Sequence, residues 1–131
     1  MAVLMELNKI IISEMLDQQI IVLREVEGER TFPILIGSSE ALAINRRLKG
    51  ETPIRPLTHE LLASVIEQMG GHLEHIEIND LSNHTFFARL HIRQNGHQIE
   101  IDSRPSDAIA LGIANSVPIY VAEHVLAEAC Q

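Results

Sequence analysis

The sequence is poor in cysteine, aromatic residues and positive charge. One cysteine, Cys130, among 131 residues excludes a disulfide framework and any zinc site built on cysteines. There is no tryptophan, and Phe32, Phe86, Phe87 and Tyr120 are the only aromatic side chains. A platform that stacks single-stranded bases needs exposed aromatics, and these three phenylalanines fall in strand-like apolar patterns that read as core. Ten Lys and Arg stand against 18 Asp and Glu, a formal net charge of −8. Proteins that neutralise phosphates carry the opposite balance, so a high-affinity, sequence-reading nucleic-acid module is not expected. Weak contact through a local arginine cluster or a bridging divalent cation is compatible with these numbers. Eight of the ten basic residues are arginine, the type suited to forked phosphate contacts. No apolar run approaches the roughly 20 residues that span a bilayer; Ile10-Ile11-Ile12 and Ile20-Ile21-Val22-Leu23 are strand-sized. The stretch from Met1 to Glu6 lacks the basic and apolar segments of a secretory signal. The expectation is a cytoplasmic protein that does not engage membranes.

What is present is a regular alternation of patterns. Apolar, β-rich runs over 3–13 and 19–26 are separated by Asp17-Gln18, and Glu27-Gly28-Glu29 turns the chain into a third run over 30–36. Their near-continuous Ile, Val and Leu content suggests strands covered in part on both faces, or a self-association surface that would make a dimer or larger homo-oligomer. Ser38-Ser39 offers an N-cap to a helix reaching Lys49, with Gly50 as its C′ residue. Thr58 can cap a second helix whose apolar face is Leu61, Leu62, Val65, Ile66 and Met69, ended by Gly70-Gly71. Strands are expected over 72–79 and 85–94, and Asn95-Gly96 marks a two-residue hairpin. That loop sets Leu90 opposite Ile101 and Ile92 opposite Ile99 on one face, with Arg89 opposite Asp102 and His91 opposite Glu100 on the other. Pro105 opens a helix over about 105–115, a short strand covers 117–121, and 123–130 forms a last helix. The fold class is α+β: one domain over 1–131, with a mainly antiparallel, mixed sheet of about seven strands packed against three to four helices.

Two short segments gather polar residues at element ends. Arg55-Pro56-Leu57-Thr58-His59-Glu60 and Asp102-Ser103-Arg104-Pro105-Ser106-Asp107 each place an Arg-Pro step before a helix N-terminus, whose free N–H groups attract anions. Arg55 and Arg104 are the phosphate-binding candidates, and His59 is the candidate general base. Asp102, Asp107 and Glu40 are candidate ligands for a hard divalent cation such as Mg²⁺ or Mn²⁺. Each has a plainer structural reading. Asp102 has a cross-strand partner in Arg89, Asp107 and Glu40 suit a first helical turn, and the arginines can tie loops to carboxylates. His72 and His75, three apart in a strand, are expected on opposite faces. No zinc-ligand spacing and no glycine-rich phosphate loop occurs.

These residues also carry a resemblance. Phe32-Pro33-Ile34-Leu35-Ile36-Gly37, Glu40-Ala41, Arg55-Pro56-Leu57-Thr58-His59-Glu60-Leu61-Leu62, Ile101-Asp102-Ser103-Arg104-Pro105-Ser106-Asp107-Ala108-Ile109-Ala110-Leu111 and Val117-Pro118-Ile119-Tyr120-Val121 resemble the bifunctional nuclease domain family. Gly112 departs from it, since alanine or a larger residue is usual there. The resemblance implies a compact α+β domain in a bacterial or plant setting, some plant members of the family cleaving both DNA and RNA, and it supplies no agreed catalytic set or metal. The leading expectation is a nuclease of little sequence selectivity in which Asp102, Asp107 and His59 are catalytic. Arg55 and Arg104 would hold phosphate, and Asp102, Asp107 and Glu40 would hold the cation. The competing expectation is a non-catalytic regulatory or scaffold domain that binds an anion or a protein partner.

Overall fold

The computed structural model describes residues 1–13, 15 and 18–130; Asp17, half of the expected first turn, lies outside the described residues. The elements run β1 (Ala2–Ile11), β2 (Gln18–Glu25), β3 (Thr31–Gly37), α1 (Ser38–Leu48), α2 (Thr58–Gln68), β4 (Gly71–Ser82), β5 (Thr85–Gln94), β6 (His97–Ser103), α3 (Pro105–Ala114), β7 (Ile119–Ala122) and α4 (Glu123–Ala129). The seven strands form one sheet in the order β3-β2-β1-β7-β4-β5-β6. Every pairing is antiparallel except β4 with β7. The chain is thus a single α+β domain with a mixed sheet.

The sheet curls. Phe32 of β3 and Phe86 of β5 stack with ring centroids 5.5 Å apart. Five strand steps at about 4.8 Å each would hold them roughly 24 Å apart in a flat sheet. The curl wraps α3, whose Ser106, Ala108, Ile109, Ala110, Leu111 and Gly112 are all buried, and α1 and α2 pack against that central helix. The core face is set by alternation: Ile21 and Leu23, Phe32, Ile34 and Ile36, then Ala88, Leu90 and Ile92 all point inward.

Several local expectations are corrected. Gly37, not a serine, is the N-cap of α1, and Leu57, not Thr58, is that of α2. Glu60 Oε1 accepts the Leu57 backbone N–H at 3.0 Å, so the acid three residues into the helix satisfies its first donor. The apolar stripe of α2 does not face the core. Ala63 and Ile66 pack inward while Leu61, Leu62, Val65 and Met69 remain exposed. In β4 a bulge at Glu74 places His72 opposite Arg93 and His75 opposite His91. The extra residue shifts the alternation by one, so the two histidines share a face instead of opposing each other.

Candidate functional site

The N-termini of α1, α2 and α3 meet, and four side chains from them, two at the start of α3, join in a continuous polar chain. His59, in the first turn of α2, places Nε2 3.1 Å from Asp107 Oδ1. Asp107, in the first turn of α3, accepts through Oδ2 a hydrogen bond from Arg104 Nε at 2.9 Å. Arg104, the N-cap of α3, donates through Nη2 to Glu40 Oε1 at 2.9 Å, and Glu40 belongs to the first turn of α1. The sequence folds this way locally because Pro105 fixes the first residue of α3, leaving Arg104 outside the helix and free to reach sideways. Gly37 has a comparable reason. A Cβ there would overlap the Glu40 carboxylate as it now lies, so glycine leaves that acid room to fold back over the start of its own helix.

The protonation pattern follows from the contacts. Burial alone would raise the Asp107 carboxyl, but hydrogen bonds and charge from Arg104 and His59 hold it below the ordinary aspartate range. An ionised carboxylate only accepts, so the histidine proton sits on Nε2 and Nδ1 is the basic nitrogen. Among the described residues Nδ1 has no partner. The His59 side chain is 15% exposed, whereas that of Arg104 is 66% exposed, and its Nη1 also lacks a partner among the described residues. The arrangement is a carboxylate-oriented imidazole next to a guanidinium with donors to spare, at converging helix N-termini.

The bifunctional nuclease domain model matches residues 21–131. The chain belongs to the bifunctional nuclease domain family. Two uncharacterized proteins from strains of Mycobacterium tuberculosis are 44% identical over 113 residues, covering 86% of this chain and 67% of theirs. Bifunctional nuclease 2 of Oryza sativa subsp. japonica is 29% identical over 114 residues, 84% of this chain and 35% of its own length. Bifunctional nuclease 2 of Arabidopsis thaliana is 23% identical over 96 residues, 71% of this chain and 29% of its own. The chain thus spans about a third of these plant relatives.

Within this family domain the structure joins the two Arg-Pro corners, since His59 and Asp107 bond each other directly. It brings Glu40, His59, Arg104 and Asp107 together. Arg55 is exposed in the loop before α2, with no ion pair among the described residues. Asp102 is not part of the cluster. Its register partner Arg89 lies on the face opposite Leu90 and Ile92, so Asp102 points away from the helices. It lines an open cavity with Asn79, Asp80, Ser82, Phe87, Arg89 and Glu100. Nor does Arg89 pair with it, since Arg89 Nη1 donates to Glu100 Oε1 at 3.1 Å.

This separation decides how the expected divalent cation fits. Glu40 and Asp107 are bridged by the Arg104 guanidinium, a resident cation in the position a metal would take. Asn79 Oδ1 is the buried side-chain oxygen without a partner among the described residues, and Asn79 borders the same cavity as Asp102, away from the cluster. No group of three or more His, Cys, Asp or Glu is poised to hold a metal among the described residues. The set Asp102, Asp107 and Glu40 therefore does not fit one metal centre.

A second cavity borders the cluster. Its volume is about 640 Å³ and its lining includes Gln18, Ile34, Leu35, Ile36, Phe86 and Arg104. Sequence reading treats Phe86 only as core. What brings it here is the Asn83-His84 turn, where both residues have positive φ (51° and 64°), and the long-range curl of the sheet. Among the described residues no helix is long and apolar enough to cross a membrane.

Proposed function

We propose that this chain hydrolyses phosphodiester bonds of DNA and RNA by general-base catalysis at the His59–Asp107–Arg104 cluster. Family membership and the names of the plant relatives support the reaction class, and the observation that carries the assignment is the hydrogen-bonded chain across three helix starts. His59 Nδ1 takes a proton from water as that water's oxygen bonds to phosphorus. The bond from phosphorus to the leaving sugar oxygen breaks, and that oxygen regains a proton from the imidazolium. Asp107 holds the ring in one tautomer and stabilises the imidazolium. The free donors of Arg104 and the N-terminal N–H groups of α2 and α3 face the charge that develops on the phosphoryl oxygens. Arg55 supplies a further cation at the same loop.

The test is cleavage of plasmid and of RNA by the purified protein and its variants. His59→Ala is expected to lose about 10²-fold or more, the scale of a general base, and Arg104→Ala a comparable amount. Asp102→Ala is expected to retain activity. Wild-type cleavage by His59→Ala would overturn the assignment. A second reading has its own observation: every acid in the cluster is already paired, so the chain of contacts is also a clasp holding three helices, as in a non-catalytic scaffold domain. In that case Arg104→Ala lowers the melting temperature while no variant, nor the wild type, cleaves nucleic acid. Self-association belongs to the proposal too. The exposed stripe of Leu61, Leu62, Val65 and Met69 on α2 suits a second copy, and a solution mass of one chain would remove it.

A further inference from the structure

We infer that the cavity beside Arg104 is a nucleobase subsite, and that it directs the cluster toward single-stranded DNA and RNA in preference to duplex. The inference rests on the hydrolase reading above and specifies its substrate. The cavity volume of about 640 Å³ falls within the roughly 300–1,000 Å³ of small-ligand sites. Pro33, Leu35 and Phe86 give it apolar walls above the buried Ile34 and Ile36, Gln18 and Thr85 give it polar edges, and Arg104 stands on the border it shares with Asp107. That mixture fits a flat heterocycle with hydrogen-bonding rims. A base in an unpaired strand can enter such a hollow, whereas a duplex base must first leave its stack.

Electrostatics point the same way. The net charge is −8, and within the cluster two carboxylates face one guanidinium. A duplex carries about one phosphate per 1.7 Å, twice the density of a single strand, and is repelled the more strongly. Affinity for nucleic acid has to come from the bases. A peptide added along the free edge of β3 is the other occupant such a hollow suggests. Pro33 sits in the middle of that edge without an N–H to donate, which disfavours strand addition.

The experiment is fluorescence anisotropy with a labelled oligothymidylate, its duplex, and a strand of equal length lacking bases, run beside cleavage assays. The single-stranded oligothymidylate is expected to bind at least about tenfold more tightly than the duplex or the baseless strand, the scale of one base contact. Thr85→Trp, which fills the cavity from an exposed position, is expected to lose about the same factor on the strand at an unchanged melting temperature. Leu35→Glu repeats the test from another wall and carries it if the tryptophan variant melts early. Equal binding of normal and baseless strands, or wild-type affinity in both variants, overturns the subsite even where cleavage is observed. Base-dependent binding that both variants weaken, without cleavage of any substrate, supports the subsite and overturns the hydrolase reading instead.

Discussion

Asp107 is the residue on which the cluster turns, because one carboxylate receives both His59 and Arg104. Its pKa is lowered in the fold: burial raises it, but the two partners outweigh burial. A carboxyl with a lowered folded pKa binds fewer protons folded than unfolded. Its stabilisation is therefore present above the ordinary aspartate value of about 4 and is lost as pH falls through the lower folded value. Asp107→Asn should cost about 1–3 kcal/mol at pH near 7, and the gap between wild type and variant should close as pH drops toward 3. Urea denaturation at three pH values checks this, and a gap independent of pH would show that the carboxylate charge contributes nothing. The bond to His59 was not legible in sequence, since Asp107 and His59 are 48 residues apart. The position of Asp102 was more nearly so. The hairpin register already paired it with Arg89 on the polar face, and a side chain on that face cannot turn toward a helix on the other.

Among the elements, β5 and β6 were the most readable. Asn95-Gly96 adopts positive φ at both positions, 50° and 77°, a primed turn that matches strand twist, and the pairing runs as the loop length requires, from Ala88 with Ser103 to Gln94 with His97. The helix α2 was the least. Periodicity shows that a helix has an apolar arc but not which arc meets the core. Here the bond from His59 to Asp107 and the close packing of Ala63 and Ile66 turn the larger residues outward. The bulge at Glu74 has no local signal either, because it answers to the facing strand. In α3 the family departure at Gly112 can be judged by space. A Cβ at that position would lie 3.5–3.7 Å from Ile76 atoms, ordinary contact, and its φ is not positive. Glycine in a helix interior costs about 0.5–1 kcal/mol relative to alanine. Gly112→Ala is thus expected to stabilise by about that amount and raise Tm by about 2–5 °C, read by thermal denaturation. A fall in Tm would mean that α3 has no room against β4.

For the whole molecule, the proposed function requires an acidic chain to hold a polyanion. The curled sheet buries α3 and draws the starts of three helices to one place, so the positive ends of their dipoles add locally against an unfavourable overall charge. Arg104 and Arg55 are the cations assigned to phosphate there, and Arg104 is shared with two acids; Arg46 and Arg47 line a small cavity with His59, and Arg47 is tied to the Ala114 carbonyl. With those two assigned to phosphate, the number of phosphates neutralised is about two. Counterion release sets the slope of log K against log salt at about −0.7 per neutralised phosphate for a single strand, so the expected slope for oligothymidylate is about −1.4 or shallower. A protein that tracks the backbone with six contacts would show about −4 on the same scale. Titrations from low to moderate salt measure the slope directly. A steep value would mean that further basic residues, Arg46 and Arg47 on the cavity they share with His59 among them, gather the strand, and that charge contributes more of the affinity than the bases do.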